Sequence, residues 1–413
     1  MTIPSVVALD RSDERLQQDE GLTGTLKAFW RSVRAGDVGA LPVVVGLLLI
    51  GTIFQVLNPV YLSSGNLVNL ILDSCAVGVI SLGVVCVLLV GEIDLSVGSV
   101  SGFSAAVVAV LFVRHDVNWV LAVLVACLIA AGIGLLYGVL LTRFGMPSFV
   151  SSLSGLLAFL GLQLAILGDQ GSVNLPFDSK LVAFAQLDFV PPWLSYVLAA
   201  VAALALFAAG YETMVRRRRA HLSARPLNLL VIRSVALLIV LELVVWYLNR
   251  DRGVGWLVVF FVVMVLALNY AITRTQWGRS LLAVGGNAEA ARRSGINVSR
   301  VYLSAFMLCS LLAAVGGILA AGRLASANLS SGTGDVNLNA IAAAVIGGTS
   351  LFGGRGSAFS ALLGTLVIAA IASGLTLLNL DSSYRFIITG LVLAIAVAID
   401  SLARKSRASH GRA

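Results

Sequence analysis

The chain has 413 residues, of which 59% are hydrophobic and only 12% are charged, and its mean hydropathy is +0.98. Soluble domains carry about 25% charged residues, so this composition excludes an ordinary water-soluble globular protein. The net charge is +8, but the arginines gather at the ends of apolar segments, as in membrane proteins, which argues against nucleic-acid binding.

Residues 1–36 are polar and mixed in charge, which predicts a cytoplasmic tail and no cleavable signal peptide. Residues 37–403 are predicted to form a transmembrane domain, and residues 404–413 a second tail. A membrane span needs about 20 apolar residues. On that scale spans are predicted at 40–57, 67–90, 97–113, 119–142, 149–167, 193–210, 227–248, 253–273, 301–321, 338–351, 357–379 and 384–402. The segments 97–113 and 338–351 are short, so a broken or re-entrant element is open for each, and about ten to twelve crossings are expected.

Basic residues predict the orientation of these spans. If the N-terminus is cytoplasmic, alternating crossings place a basic loop at 211–226, a polar loop at 274–300 and the C-terminal tail in the cytoplasm, as the positive-inside rule requires. The loop 168–193 then lies outside. The arginine-rich run at 215–226 could bind nucleic acid, but its position directly after an apolar segment favours anionic lipid headgroups.

Two carboxylates, Glu92 and Asp94, lie between two apolar segments and are followed by Ser96, Gly98 and Ser99. Residues two positions apart cannot share a helix face. Asp94 or Ser96 is therefore predicted to cap the next helix. A proton relay or cation site stays open as the alternative, because acidic groups at membrane depth are costly and usually serve a function.

A glycine-rich block occupies residues 347–357. It lacks the Gly-x-x-x-x-Gly-Lys-Ser/Thr order of a phosphate-binding loop, so it is not an ATP site. Like the block at 91–99, it has a leucine between glycines and ends in Gly-Ser before an apolar helix. A weak internal repeat is therefore predicted.

The polar loop 274–300 contains a short predicted helix at 288–294. Gly285 and Gly286 are expected to loosen the chain before it, and Asn287 is a suitable N-cap. Glu289 in its first turn and arginines in its last turn complement the helix dipole, and Gly295 suits a left-handed C-cap. Two turns are marginal alone in water. The segment therefore either binds a partner or is an ordinary surface loop with a helical turn.

Three stretches, at 91–99, 277–298 and 344–357, together resemble the membrane permease subunits of bacterial sugar ABC importers, in the ribose/xylose branch. The resemblance extends over about residues 60–400. It implies an all-α polytopic membrane protein with a type II ABC importer-like permease fold. It assigns ATPase coupling to Gly285, Gly286, Asn287, Glu289, Ala290, Ala291, Arg292, Ser294 and Gly295. It assigns a structural family signature to Glu92, Asp94, Ser96, Gly98, Ser99, Gly347, Gly348, Leu351, Gly353, Gly354, Gly356 and Ser357.

The resemblance also implies partners. These are two ABC ATPase subunits that bind ATP and magnesium, a periplasmic or lipid-anchored sugar-binding protein, and a second permease copy, most simply an identical one. The chain itself would hold no cofactor and no metal, and it would lie in the bacterial plasma membrane with both termini cytoplasmic. A large insertion around residues 176–250 is similar to that of xylose-type members, which favours a pentose.

Polar residues inside apolar segments are candidates for a translocation path: Asn69, Asp73, Ser152, Gln163, Asn337 and Asn339. Asn69 and Asp73 are four residues apart, so they would share one helix face. Asn66, just before that span, is predicted to be an N-cap. Helix packing is the alternative role for each polar residue.

The sequence leaves two other classes of function to consider beside a permease subunit. An ion-gradient-driven transporter of a small polar solute would use Asp73, Glu92, Asp94 or Glu242 and would work without partners. A membrane enzyme is not favoured, because no catalytic cluster surrounds His115, His221 or His410.

Overall fold

The computed structural model describes residues 41–224, 226–381, 383–384, 386–391, 394 and 398. Within these residues nine helices are long and apolar enough to cross a membrane. The α-helices whose bounds are described are α1 (Leu41–Leu57), α2 (Ser64–Leu89), α3 (Val97–Ala109), α4 (Trp119–Phe144), α5 (Ser148–Leu167), α6 (Pro192–Arg219), α7 (Leu227–Leu248), α8 (Trp256–Arg274), α9 (Gln276–Gly286), α10 (Ala288–Arg293), α11 (Val298–Leu324), α12 (Val336–Ile346) and α13 (Ala358–Leu377). A short turn at Lys180–Val182 continues as a π-helical segment at Ala183–Leu187.

Of the two short predicted spans, the first forms a continuous helix and the second is too short to cross a bilayer. The first is continuous, because α3 runs on through a π-helical turn at Val110–Arg114 and reaches about 27 Å in length. The second ends at Ile346, earlier than predicted, and α12 is only about 16 Å long, too short to span a bilayer. It stops there because the chain turns at Gly348, which has a φ of +107°. The span predicted at 384–402 lies largely outside the described residues.

The centre of the bundle is α11, which packs against α2, α3 and α4. Small residues allow these helices to approach closely. A Cβ added at Gly83 of α2 would lie 2.7 Å from the carbonyl oxygen of Cys309, and one added at Gly317 would lie 2.0 Å from that of Ser101. The helix positions are therefore fixed by backbone contacts as well as by side-chain packing.

A small antiparallel sheet, which the sequence pattern did not predict, joins two distant loops. Strand β1 (Ser172–Asn174) follows α5, and β2 (Ser326–Asn328) follows α11, with Val173 opposite Ala327. The side chain of Gln163 in α5 donates to the carbonyls of Asn328 and Ser331, at 2.9 Å each. The loop after β2 is thus held against α5.

Residues 190–254 form a unit of their own, in which α6 packs against α7. The other described helices belong to the second unit. The predicted basic loop at 211–226 is wrong at its start, since α6 continues to Arg219. Its four consecutive arginines at 216–219 occupy the last turn, where basic side chains favour a helix because they complement its dipole.

Candidate functional site

Both ends of the short helix α10 carry the predicted caps. The N–H of Ala290 donates to Oδ1 of Asn287 at 2.9 Å, which confirms the N-cap. After the helix, the N–H of Gly295 donates to the carbonyl of Arg292 at 3.0 Å, and that of Ile296 donates to the carbonyl of Ala291 at 3.1 Å. With Gly295 at a φ of +83°, these two bonds form a Schellman motif. The helix is one residue shorter than predicted, because Ser294 is its C-cap.

The exposed surface of α10 is polar and internally paired. Glu289 accepts hydrogen bonds from Arg292 at 3.1 Å and from Arg293 at 3.2 Å, and all three side chains are more than half exposed. Exposed pairs of this kind stabilise a helix by only about 0.5 kcal/mol. Ala291 is the buried residue of the helix. The helix is therefore held by its caps and one small contact, and its charged side chains face outward.

Helix α9 leads into α10 and is fixed to the bundle. Its N-cap is Thr275, whose Oγ1 accepts from the N–H of Gly278 at 3.2 Å. The indole Nε1 of Trp277 donates to Oγ of Ser304 in α11 at 2.8 Å. The prediction that Gly285 and Gly286 loosen the chain is wrong, since both belong to the last turn of α9.

Three glycine-containing motifs, far apart in sequence, meet beside the end of α9. We call this contact the glycine junction, formed by Gly91, Gly285, Gly286, Gly353 and Gly354 together with the carbonyl of Leu89. The N–H of Gly354 donates to that carbonyl at 2.9 Å. A Cβ at Gly285 would lie 1.7 Å from the same oxygen, and one at Gly353 would lie 2.6 Å from the carbonyl oxygen of Gly285. The junction thus brings the two signature blocks against the predicted coupling segment.

The two carboxylates of the first block have separate environments. Oδ1 of the buried Asp94 accepts from the N–H of Ser96 at 2.8 Å and from its Oγ at 2.6 Å. Glu92 accepts from Oγ of Ser148 at 2.5 Å, at the start of α5. Burial raises the pKa of Glu92, and the bond from Ser148 partly offsets this shift. Ser96 is the N-cap residue of α3, which confirms one of the two predicted alternatives, although its side chain makes no cap bond.

A cavity of about 340 Å³ lies between α2, α12 and α13. Three of the predicted path residues, Asn69, Asp73 and Asn339, line it. The complete lining consists of Asn66, Asn69, Leu70, Asp73, Ser74, Val77, Asn339, Thr365, Ile368, Ala369, Ala372, Ser373, Thr376 and Leu377. Amides and hydroxyls therefore alternate with aliphatic side chains around this space.

An arginine that the sequence analysis missed fixes the polar face of α2. Nε of Arg323, near the end of α11, lies 2.9 Å from Oδ1 of Asp73, and its Nη2 lies 3.2 Å from Oδ1 of Asn69. The Asp73 side chain is 60% exposed, whereas that of Arg323 is 19% exposed. A carboxylate this exposed on an apolar helix would be costly against lipid, so this face borders water or protein.

The predicted N-cap at Asn66 is wrong. Ser63 caps α2, and its Oγ accepts from the N–H of Asn66. Oδ1 of Asn66 instead accepts from Oγ of Ser373 at 3.0 Å, while its Nδ2 donates to the carbonyl of Tyr61 at 2.7 Å. Asn66 thus connects α2 to α13 at the border of the cavity.

The other predicted path residues lie away from this cavity. Ser152 is buried and donates to the carbonyl of Ser148 at 2.8 Å, within α5. Gln163 holds the loop after β2. Asn337, in the first turn of α12, packs against Gly98, where an added Cβ would lie 3.0 Å from its own Cβ. These contacts join structural elements, and a role in transport stays a prediction for all three residues.

The fold and the polar cavity between helices indicate a multi-pass membrane protein of the permease class. Residues 66–397 match the family described as the permease component of branched-chain amino acid transport systems, and the chain belongs to this family. The family consists of transport-system components and not of enzymes.

Individual relatives are similar over most of the chain. The xylose transport system permease protein XylH of Escherichia coli (strain K12) is 32% identical over 345 residues, which cover 84% of this chain and 87% of the relative. The ribose import permease protein RbsC of the same strain is 30% identical over 358 residues, covering 86% and 92%. The probable ABC transporter permease protein YphD, also of that strain, is 32% identical over 391 residues, covering 95% and 97%. No solved structure gives a significant match.

Proposed function

We propose that this chain is the transmembrane permease subunit of an ATP-driven sugar importer, and that the cavity between α2, α12 and α13 belongs to its translocation path. The observation that carries the proposal is the chemistry of the cavity. Its polar groups are amides and hydroxyls, and its carboxylate, Asp73, is already paired with Arg323. The charges of Asp73 and Arg323 therefore cancel before any solute enters, and we call this a compensated wall.

A compensated wall of this kind suits a neutral, hydroxyl-rich solute. The amides of Asn69 and Asn339 and the hydroxyl of Ser373 line this space, and sugar hydroxyls form hydrogen bonds with groups of this kind. A free amino acid carries a carboxylate and an ammonium group, and each would need an opposite charge that Asp73 and Arg323 already give to each other. The names of two relatives, a xylose permease and a ribose permease, further support a pentose.

The chain needs partners to use ATP, and α10 is the proposed contact with the ATPase. A doubly capped helix with an exposed charged surface suits docking into a cleft of a partner subunit that binds ATP and magnesium. On this proposal α10 and both chain termini are cytoplasmic, a second copy of the chain completes the path, and a sugar-binding protein delivers the solute from outside. The arginines at 216–219 would contact anionic lipid headgroups.

The test is uptake of labelled xylose by liposomes that contain this chain with its cognate ATPase and binding protein. Ribose, arabinose, galactose, glucose and leucine serve as competitors. ATP-dependent uptake that requires both partners and is reduced by pentoses but not by leucine is the expected result. Asp73→Asn should lower it, whereas Ser154→Ala should not, because Ser154 is exposed outside the cavity and bonds only within α5. Gradient-driven uptake by the chain alone would overturn the proposal in favour of a secondary transporter.

A further inference from the structure

The glycine junction connects the predicted coupling segment directly to two walls of the cavity. Leu89, whose carbonyl accepts the bond from Gly354, is the last residue of α2, and Gly354 lies shortly before α13. Gly285 belongs to α9, which is followed at once by α10. The segment that would meet the ATPase therefore touches the end of α2, which carries Asp73, and the loop that leads into α13, which carries Ser373.

We propose that the glycine junction is the mechanical link that carries movement of α10 to the cavity, with Gly285 as a positioning residue that faces inward. This inference rests on the proposed function and deepens it. The family resemblance groups Gly285 with the ATPase-coupling residues. The geometry separates it from them, because Gly285 is half-buried and its missing Cβ points at the Leu89 carbonyl, whereas Asn287 and Glu289 are exposed.

The junction is suited to this role because it is backbone packed on backbone. Side chains can change rotamer and absorb a displacement, but peptide groups in contact have no such freedom. A Cβ at Gly354 would lie 3.0 Å from Cα of Gly286, and one at Gly353 would lie 2.9 Å from Cα of Gly91. A push on α9 and α10 therefore has to move the end of α2 and the loop that leads into α13.

Because α2 and α13 are long, a small tilt at the junction produces a larger displacement at the cavity. Leu89 and Asp73 lie about 24 Å apart along α2, and Ala358 and Ser373 lie about 22 Å apart along α13. A tilt of about 5° at the junction would shift the polar groups of the cavity by roughly 2 Å, enough to break a hydrogen bond. Packed elements of this kind carry coupling between sites as small rigid shifts.

The test compares Gly285→Ala with Asn287→Ala in the complex with ATPase and binding protein. Three quantities are measured: co-purification of the ATPase, ATP hydrolysis and xylose uptake. We expect Gly285→Ala to keep the ATPase bound and hydrolysing while uptake per ATP falls roughly tenfold. Asn287→Ala should instead weaken co-purification. Gly132→Ala is the matched control, since Gly132 lies in α4 and nothing is within 4 Å of its Cβ position.

Full uptake per ATP in Gly285→Ala would overturn the inference, and so would loss of ATPase co-purification, which would make Gly285 a docking residue. Absence of ATP-dependent uptake in the unsubstituted complex would instead overturn the proposed function.

A second measurement leaves the glycines intact and so does not depend on the folding of a glycine variant. Spin labels are placed at Ala283 in α9 and at Arg355 beside the junction, both exposed, after replacement of the native cysteines. Nucleotide trapping should leave this distance unchanged, while in a separate variant, Thr376→Cys, the rate of reaction with a membrane-impermeant thiol reagent changes severalfold. A change in the 283–355 distance would show that the junction opens, and would overturn the proposed link.

Discussion

The cavity and the glycine junction are held by different kinds of contact. Around the cavity, positions are set by side chains, and an ion pair and several amides are held by bonds between α2, α11 and α13. At the junction, positions are set by peptide groups that touch because side chains are missing. Chemical specificity can therefore change at the cavity by substitution without moving a helix, whereas a side chain at Gly285, Gly353 or Gly354 would displace the backbone that it meets.

The largest expected effect is the loss of stability caused by adding a methyl group at the glycine junction. In Gly353→Ala the new Cβ would meet the carbonyl oxygen of Gly285 at 2.6 Å, at a φ of +82°. We expect a loss of about 3 kcal/mol in the free energy of unfolding, from strain and displacement together. Gly348→Ala is the control, because its φ is also positive but nothing lies within 4 Å, so strain alone should cost about 1 kcal/mol. Thermal unfolding of the purified proteins measures both, and equal losses would contradict the role of contact.

The next effect concerns charge at the cavity. Arg323→Ala leaves the Asp73 carboxylate without its partner, so the wall becomes negatively charged and Asn69 loses a donor. We expect transport to fall roughly tenfold with little change in thermal stability, because Asp73 is mostly exposed. The transport activity of Arg323→Lys should lie between that of the unsubstituted chain and that of Arg323→Ala, since a lysine keeps the charge but loses the forked geometry.

A double variant sharpens this prediction. Asp73→Asn combined with Arg323→Ala removes both charges and should recover part of the activity lost in Arg323→Ala alone. Strictly additive losses of uptake would show that the two residues act independently, against the compensated-wall argument.

A smaller effect is expected at the start of α10. Asn287→Ala removes the cap bond to Ala290, which is worth about 1 kcal/mol, and α10 has little else to hold it. Asn118→Ala is the matched control, because Asn118 caps α4 through an equivalent bond to Val120 at 2.9 Å. Hydrogen exchange should show faster exchange of the α10 amides in the first variant and unchanged α10 amides in the second.

The smallest effect concerns pH. Burial raises the pKa of Glu92 above its ordinary value of 4.5, so the folded protein favours the neutral acid. The stabilisation from this group is complete below about 4.5 and is lost as the pH rises through the raised pKa. Glu92→Gln should make the free energy of unfolding less dependent on pH in that range. Ser148→Ala removes the bond that lowers the pKa, so it should move the transition to higher pH, and a shift to lower pH would contradict the assignment.

The features that could be predicted from sequence are those determined by neighbouring residues. The caps of α10 follow from Asn287 and Gly295, whose chemistry acts within a few residues, and the shared face of Asn69 and Asp73 follows from helix periodicity. Most span positions follow from apolar length. The same local reasoning was wrong at Asn66, where a serine three residues earlier is the cap.

The remaining features depend on contacts between distant residues. Nothing in the sequence near Asp73 indicates Arg323, which lies in another helix, and Gly285 looks like a flexible point until Leu89 is placed beside it. The sequence predicts a flexible point at Gly285, whereas the residue belongs to the last turn of α9. A position that must be glycine because its neighbours leave no space for a side chain shows no periodic pattern in a single sequence.

The pairing of Asp73 with Arg323 has a consequence for the synthesis of the chain in the membrane. The carboxylate is made 250 residues before its partner, so α2 must wait with an uncompensated charge while the intervening helices are inserted. A chain that stops before Arg323 would lack the partner of that charge, so the ion pair forms only after α11 has been made.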